Sequence, residues 1–147
     1  MTRAWLFVHL LMVGLWLGCV LTEALFERAL LGRGSAAELW LARLHWRVDL
    51  CIEIPAFCGV LLSGAVLLQQ APAGPWLWLK LGFAGLAIAA NLFCVGLVWR
   101  RLKQAEIGDA AGFARTDHLQ HRVGAVVLLA LLAAMGVGFK IGLQSAT

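Results

Sequence analysis

Val8-His9-Leu10-Leu11-Met12-Val13-Gly14-Leu15-Trp16-Leu17-Gly18 lies inside an apolar run that covers residues 4–31. The run is too long and too apolar for a core helix of a soluble domain. At 1.5 Å per residue it is long enough to cross about 30 Å of hydrocarbon. Yet it holds His9 near one end and Glu23 near the other. Ionisable groups inside a bilayer helix point to function, because lipid offers them no solvation.

The rest of the chain implies the same solvent. Of its 147 residues, 62% are hydrophobic and only 14% charged, and the mean hydropathy is +0.86. Soluble domains are about half apolar, and so few charges cannot coat a water-facing surface. Arg3 before the run imitates a signal peptide. The run is longer than an h-region and lacks a small-x-small cleavage site, so it reads as a retained first span. The net charge is +4, and no basic run carries interleaved aromatics, so nucleic acid is not an expected partner. Cys19, Cys51, Cys58 and Cys94 all fall in apolar segments with no C-x-x-C pair, and they read as small packing residues.

Four segments have the length of a span: about residues 4–25, 48–68, 76–99 and 123–143. They predict an all-α, single-domain membrane four-helix bundle over residues 1–147. The second and fourth helices are expected to extend back toward His45 and His118. The first connection, about 27–43, reads as a turn with Gly32 and Gly34, then a short amphipathic helix around Trp40 lying at the interface. The second, 69–75, is a tight turn with Pro75 suited to a helix start. The third, about 100–117, reads as a polar connection.

Basic residues set the expected orientation. Arg28, Arg33, Arg43, Arg47, Arg100, Arg101, Lys103, Arg115 and Arg122 share the side of the first and third connections; Arg3, Lys80 and Lys140 have the other. The positive-inside rule then gives an N-out/C-out, multi-pass protein of the cell inner (plasma) membrane. The lipid bilayer is its first partner. Four short spans bury little area, so a homodimer or a larger membrane complex is expected. Trp16 falls at mid-depth and should pack inside the bundle.

Sorted by depth, the polar residues form two layers. His9, Lys80 and Lys140 lie roughly 4–8 Å below the outer interface. Glu23, His45, Asp49, His118 and His121 form the inner layer, with Asp117 and Glu27 nearby. His45 and Asp49 are spaced i,i+4, and His118 and His121 i,i+3, so each pair shares a helix side. Glu53 continues the His45–Asp49 side one turn deeper, and Asn91 is polar at middle depth. At about 100° per residue, His9 and Glu23, Lys80 and Asn91, and His118 and Lys140 each point within about 40° of one another. That is the pattern of one polar seam.

Two chemistries suit these layers. A neutral imidazole at His9 with Lys80 and Lys140 beside it suits haem, the lysines pairing with propionates. The inner carboxylates and imidazoles (Glu23, His45, Asp49, His118 and His121) suit a transition metal such as iron or copper, in the manner of carboxylate sites in helix bundles. The chain also resembles the HemJ-type protoporphyrinogen oxidases and the related CopD-like copper-resistance membrane domains. The resemblance rests on His9-x6-Trp16-x-Gly18, Pro55-Ala56 with Gly64 after an apolar run, Trp76-Leu77-Trp78-Leu79-Lys80, and Val137-Gly138-Phe139-Lys140. It implies a haem b with His9 as axial ligand, Lys80 as a required residue, and oxidation of a porphyrinogen. Lys80 and the deep acid Glu53 are the candidate catalytic groups of a membrane oxidoreductase. The alternatives are a transition-metal handling protein or metal-dependent membrane enzyme, and an accessory subunit of a larger complex.

Overall fold

The computed structural model describes residues 2–71 and 73–144. They form α1 (Thr2–Leu30), α2 (Ser35–Val48), a π-helical turn (Asp49–Glu53), α3 (Ile54–Leu68), α4 (Pro75–Glu106) and α5 (Ala110–Gln144). No strand occurs among the described residues. The segment from α2 to α3 runs on as one rod, so the described residues hold four rods long and apolar enough to cross a membrane. Large apolar side chains such as Phe7, Leu62, Trp78 and Phe139 are two-thirds exposed on the outside. Water would penalise such a surface and lipid would not.

The rods are longer than the sequence suggests. α2 begins at Ser35, directly after the turn at Gly32–Gly34, so the expected interfacial helix is the first part of the second rod. α4 continues to Glu106 and α5 starts at Ala110, so the expected polar connection is helical apart from a short turn. Arg, Lys, Gln and Glu are good helix formers, and nothing in Arg100–Glu106 breaks a helix. The break falls at Gly108, whose φ of 74° suits glycine. Asp109 then caps α5, its Oδ1 accepting the Gly112 N–H at 2.9 Å.

The π-turn has a cause in the sequence. Pro55 sits in the first turn of α3. Proline offers no N–H to the carbonyl four residues back, and its ring crowds that carbonyl. Widening Asp49–Glu53 to a π-turn relieves the clash and re-aims the side chains that follow.

Around the bundle α1 packs on α3, α2 on α4, and α4 most extensively on α5, while α1 and α5 touch over a short length. The core between them includes Val13, Trp16, Phe57, Val60, Val127 and Leu131. Trp16 is 1% exposed, as its mid-depth position predicts. Its Nε1–H lies between two acceptors, Glu53 Oε1 at 3.1 Å and Asn91 Oδ1 at 3.3 Å, and its ring meets Phe57 edge-on with centroids 6.0 Å apart. Trp16→Phe keeps the ring contact and orphans both acceptors. It is expected to destabilise the protein by about 1–3 kcal/mol, read as a lower unfolding midpoint in detergent.

Candidate metal centre and its cavity

Three helices each bring an i,i+4 pair to one level of the bundle, near the end that carries most of the basic residues. α1 brings Glu23 and Glu27, α2 with the π-turn brings His45 and Asp49, and α5 brings Asp117 and His121. The i,i+4 spacing puts both members of a pair on one side of the helix. Two groups result, Glu23–His45–Asp49 and Glu27–Asp117–His121, each with one imidazole and two carboxyls. Within each group the candidate ligand atoms lie within 4.8 Å of one another.

His45 joins the two groups. Its Nε2 is 3.0 Å from Glu23 Oε2 and 3.8 Å from Asp49 Oδ1. Its Nδ1 faces Glu27 Oε1 at 3.5 Å, with Arg101 Nη2 at 3.1 Å and Gln120 Nε2 at 3.4 Å. Nδ1 thus has both an acceptor and donors beside it, so either tautomer of the ring is served. With a cation on Nε2, the Nδ1–H would point at Glu27, the carboxylate–imidazole–metal relay that orients ligating histidines.

The second group already has a cation. Arg101 is 0% exposed, and its Nη1 donates to Glu27 Oε1 at 2.7 Å and to Asp117 Oδ1 at 2.6 Å. Glu27 Oε2 also meets His121 Nε2 at 2.8 Å. The first group has no arginine or lysine, and its one basic side chain is His45. Glu23, Asp49 and Glu53 are all buried, and Asp49 and Glu53 face one another. Glu23 Oε1 and Asp49 Oδ2 meet no donor among the described residues. Three buried carboxyls served by one imidazole are costly, and they need protons or a bound cation.

A cavity of about 250 Å³ lies beside the first group. Its floor holds Glu23, His45, Asp49, Glu53 and Asn91, all buried. Its exposed lining residues are Leu21 and Ala24 on α1 and His121 and Ala125 on α5. The mouth is therefore a lateral slot between α1 and α5, which touch over only a short length. Beyond Trp16 the apolar core closes the bundle between this cavity and His9.

The structure brings together four of the five inner residues singled out in the sequence. Glu23, His45 and Asp49 form one group, and His121 belongs to its neighbour. His118 is exposed and lies in neither group. The inward side of α5 runs through Asp117, Gln120 and His121, and His118, turned about 100° from Asp117, falls outside it. His118→Ala is accordingly expected to leave metal affinity within about twofold in a binding titration. Arg101 and Gln120 were not visible as site residues, because the stretch around Arg101 reads as a polar connection and Gln120 as an ordinary surface residue.

The outer layer is arranged differently. His9 Nδ1 is hydrogen-bonded to Ser63 Oγ at 2.9 Å, the hydroxyl itself donating to the Gly59 carbonyl, and a Cβ on Gly64 would come within 3.3 Å of the imidazole. A side chain there would press on the ring, and glycine leaves it room. Lys80 runs along Gly138, and Lys140 Nζ sits 3.5 Å from the centroid of Trp76, a cation–π contact at the bundle end. The imidazole is well oriented, but His9, Lys80 and Lys140 line none of the cavity described above. No protein-family model, no curated protein and no solved structure matches the chain.

Proposed function

We propose that the chain is a multi-pass membrane protein that holds one transition-metal ion between Glu23, His45 and Asp49. The unpartnered, buried oxygens of Glu23 and Asp49 carry this reading. A cation there would neutralise them, much as Arg101 neutralises Glu27 and Asp117. One imidazole and two carboxylates, with no thiolate, suit iron, manganese or zinc more than soft copper(I). Three protein ligands beside an open cavity leave coordination positions free, which is the pattern of a catalytic site and not of a closed structural one. Such an ion would act as a Lewis acid or a redox centre, and Glu53 beside Asp49 is placed to hold a proton for it. The function proposed is therefore that of a metal-dependent membrane enzyme.

The positive-inside rule supports an N-out/C-out arrangement in the inner membrane, with the metal in the cytoplasmic half. A haem at His9, as the HemJ/CopD-like resemblance implies, is the second proposal, favoured by the Ser63 contact that fixes the imidazole. One sample separates the two. Protein purified without chelators is expected to contain about one equivalent of a divalent metal, and His45→Ala should weaken retention at least about 100-fold. A Soret band lost in His9→Ala, with no metal lost in His45→Ala, would overturn the first proposal in favour of the second.

A further inference from the structure

The cavity keeps two further buried polar atoms without a partner among the described residues: Asn91 Nδ2 and Gln120 Oε1. Neither amide is free to flip. Asn91 Oδ1 accepts the Trp16 indole N–H, which can only donate, so Nδ2 is the end left open. Gln120 Nε2 donates toward Glu27 Oε1, a carboxylate that Arg101 keeps as an acceptor, so Oε1 is left open. The cavity thus offers one donor from α4 and one acceptor from α5. Both side chains are 3% exposed, so each unmade bond is costly.

A hydroxyl group carries both complements, since it accepts one hydrogen bond and donates another. The space around it is ring-sized: a dry cavity of about 150 Å³ already holds benzene, and this one is about 250 Å³. The way in is the slot between α1 and α5. Leu21, Ala24 and Ala125 at its mouth are exposed on the surface that faces lipid. Ala24 lies one helical turn from Arg28 and Ala125 less than a turn from Arg122, about 4–6 Å along the axis, which sets the mouth just under the headgroups of one leaflet.

We infer that the site takes a phenol-type ligand, a hydroxylated ring on an apolar tail, and takes it sideways from the bilayer. The ring enters between α1 and α5, and its hydroxyl bridges Asn91 Nδ2 and Gln120 Oε1. This rests on the metal reading only in leaving Glu23 and Asp49 to the ion.

The test uses 4-octylphenol and octylbenzene, which share tail and ring and differ by the hydroxyl. Binding to the full-length protein in lipid nanodiscs is measured by saturation-transfer NMR, once chelator-treated and once metal-loaded, with partition into empty nanodiscs subtracted. Wild type is expected to prefer the phenol by about tenfold or more. Asn91→Leu and Gln120→Leu should each cut that preference to about twofold while leaving octylbenzene binding intact, which also shows that the variants fold. Ala125→Trp, which plugs the slot, should abolish binding of both. No preference in wild type, or a preference that survives both leucine variants, would overturn the inference even if the protein binds metal. The same preference in protein that takes up no ion in the metal-loading step would uphold the inference and overturn the metal reading.

Discussion

Asp49→Asn is expected to have opposite effects in the two states of the protein. Without metal it should raise stability by about 1–3 kcal/mol, because it removes a buried carboxyl that must share its one basic neighbour with Glu23. Asp49 is 1% exposed. Its nearest cation is His45 Nε2 at 3.8 Å, and that nitrogen is already engaged by Glu23 at 3.0 Å. An amide of the same shape gives up a carboxyl that has to hold a proton when buried, and it keeps the packing. With metal present the sign reverses. A ligand at a hundredfold excess over its Kd contributes about 2.7 kcal/mol to the folded state, and the variant loses a metal ligand and with it most of that gain. Detergent unfolding followed with chelator and then with cobalt(II) reads both effects. If Asp49→Asn stabilises the protein equally in both conditions, the carboxylate is a structural liability and not a ligand.

Arg101→Met should be the most damaging single change in the bundle. The guanidinium is fully buried, pairs with Glu27 and Asp117 at 2.7 and 2.6 Å, and stacks 5.5 Å from the Phe113 centroid. Removing one partner of a buried ion pair strands the other, at a cost of about 3–5 kcal/mol. Two carboxylates would be stranded at once. Arg101→Lys restores the charge without the flat fork that reaches both acids, so it should recover part of the loss and not all of it. The double change Arg101→Met with Glu27→Gln should recover much of the remainder. These differences are read as unfolding midpoints in one detergent. Equal midpoints for Arg101→Met and wild type would mean that the two acids do not need this cation.

The spans were legible because hydrocarbon thickness fixes their length and composition shows the solvent. Their ends were not legible: Arg100 to Glu106 looks like a loop by polarity, yet those residue types prolong a helix as readily as they end a span. His45 with Asp49 could be paired by spacing alone, and Glu23 stood out as an acid in lipid. Asp117 was secondary to His118, because spacing fixes which residues share a side of α5 and not which side faces the cavity. Arg101 was hidden for a further reason. Its role depends on Glu27 and Asp117, 74 and 16 residues away, and no local pattern records that meeting. Pro55 was the available sign of the π-turn, since a proline one turn into a helix has to displace the carbonyl four residues before it.

X-ray absorption at the metal edge of the loaded wild-type protein examines the first coordination shell itself. The expected spectrum has nitrogen and oxygen neighbours only, with the outer-shell features of a single imidazole and the remainder from carboxylate. A shell of four porphyrin nitrogens, a sulfur neighbour, or a spectrum unchanged in Glu23→Gln with Asp49→Asn would contradict a metal held by Glu23, His45 and Asp49.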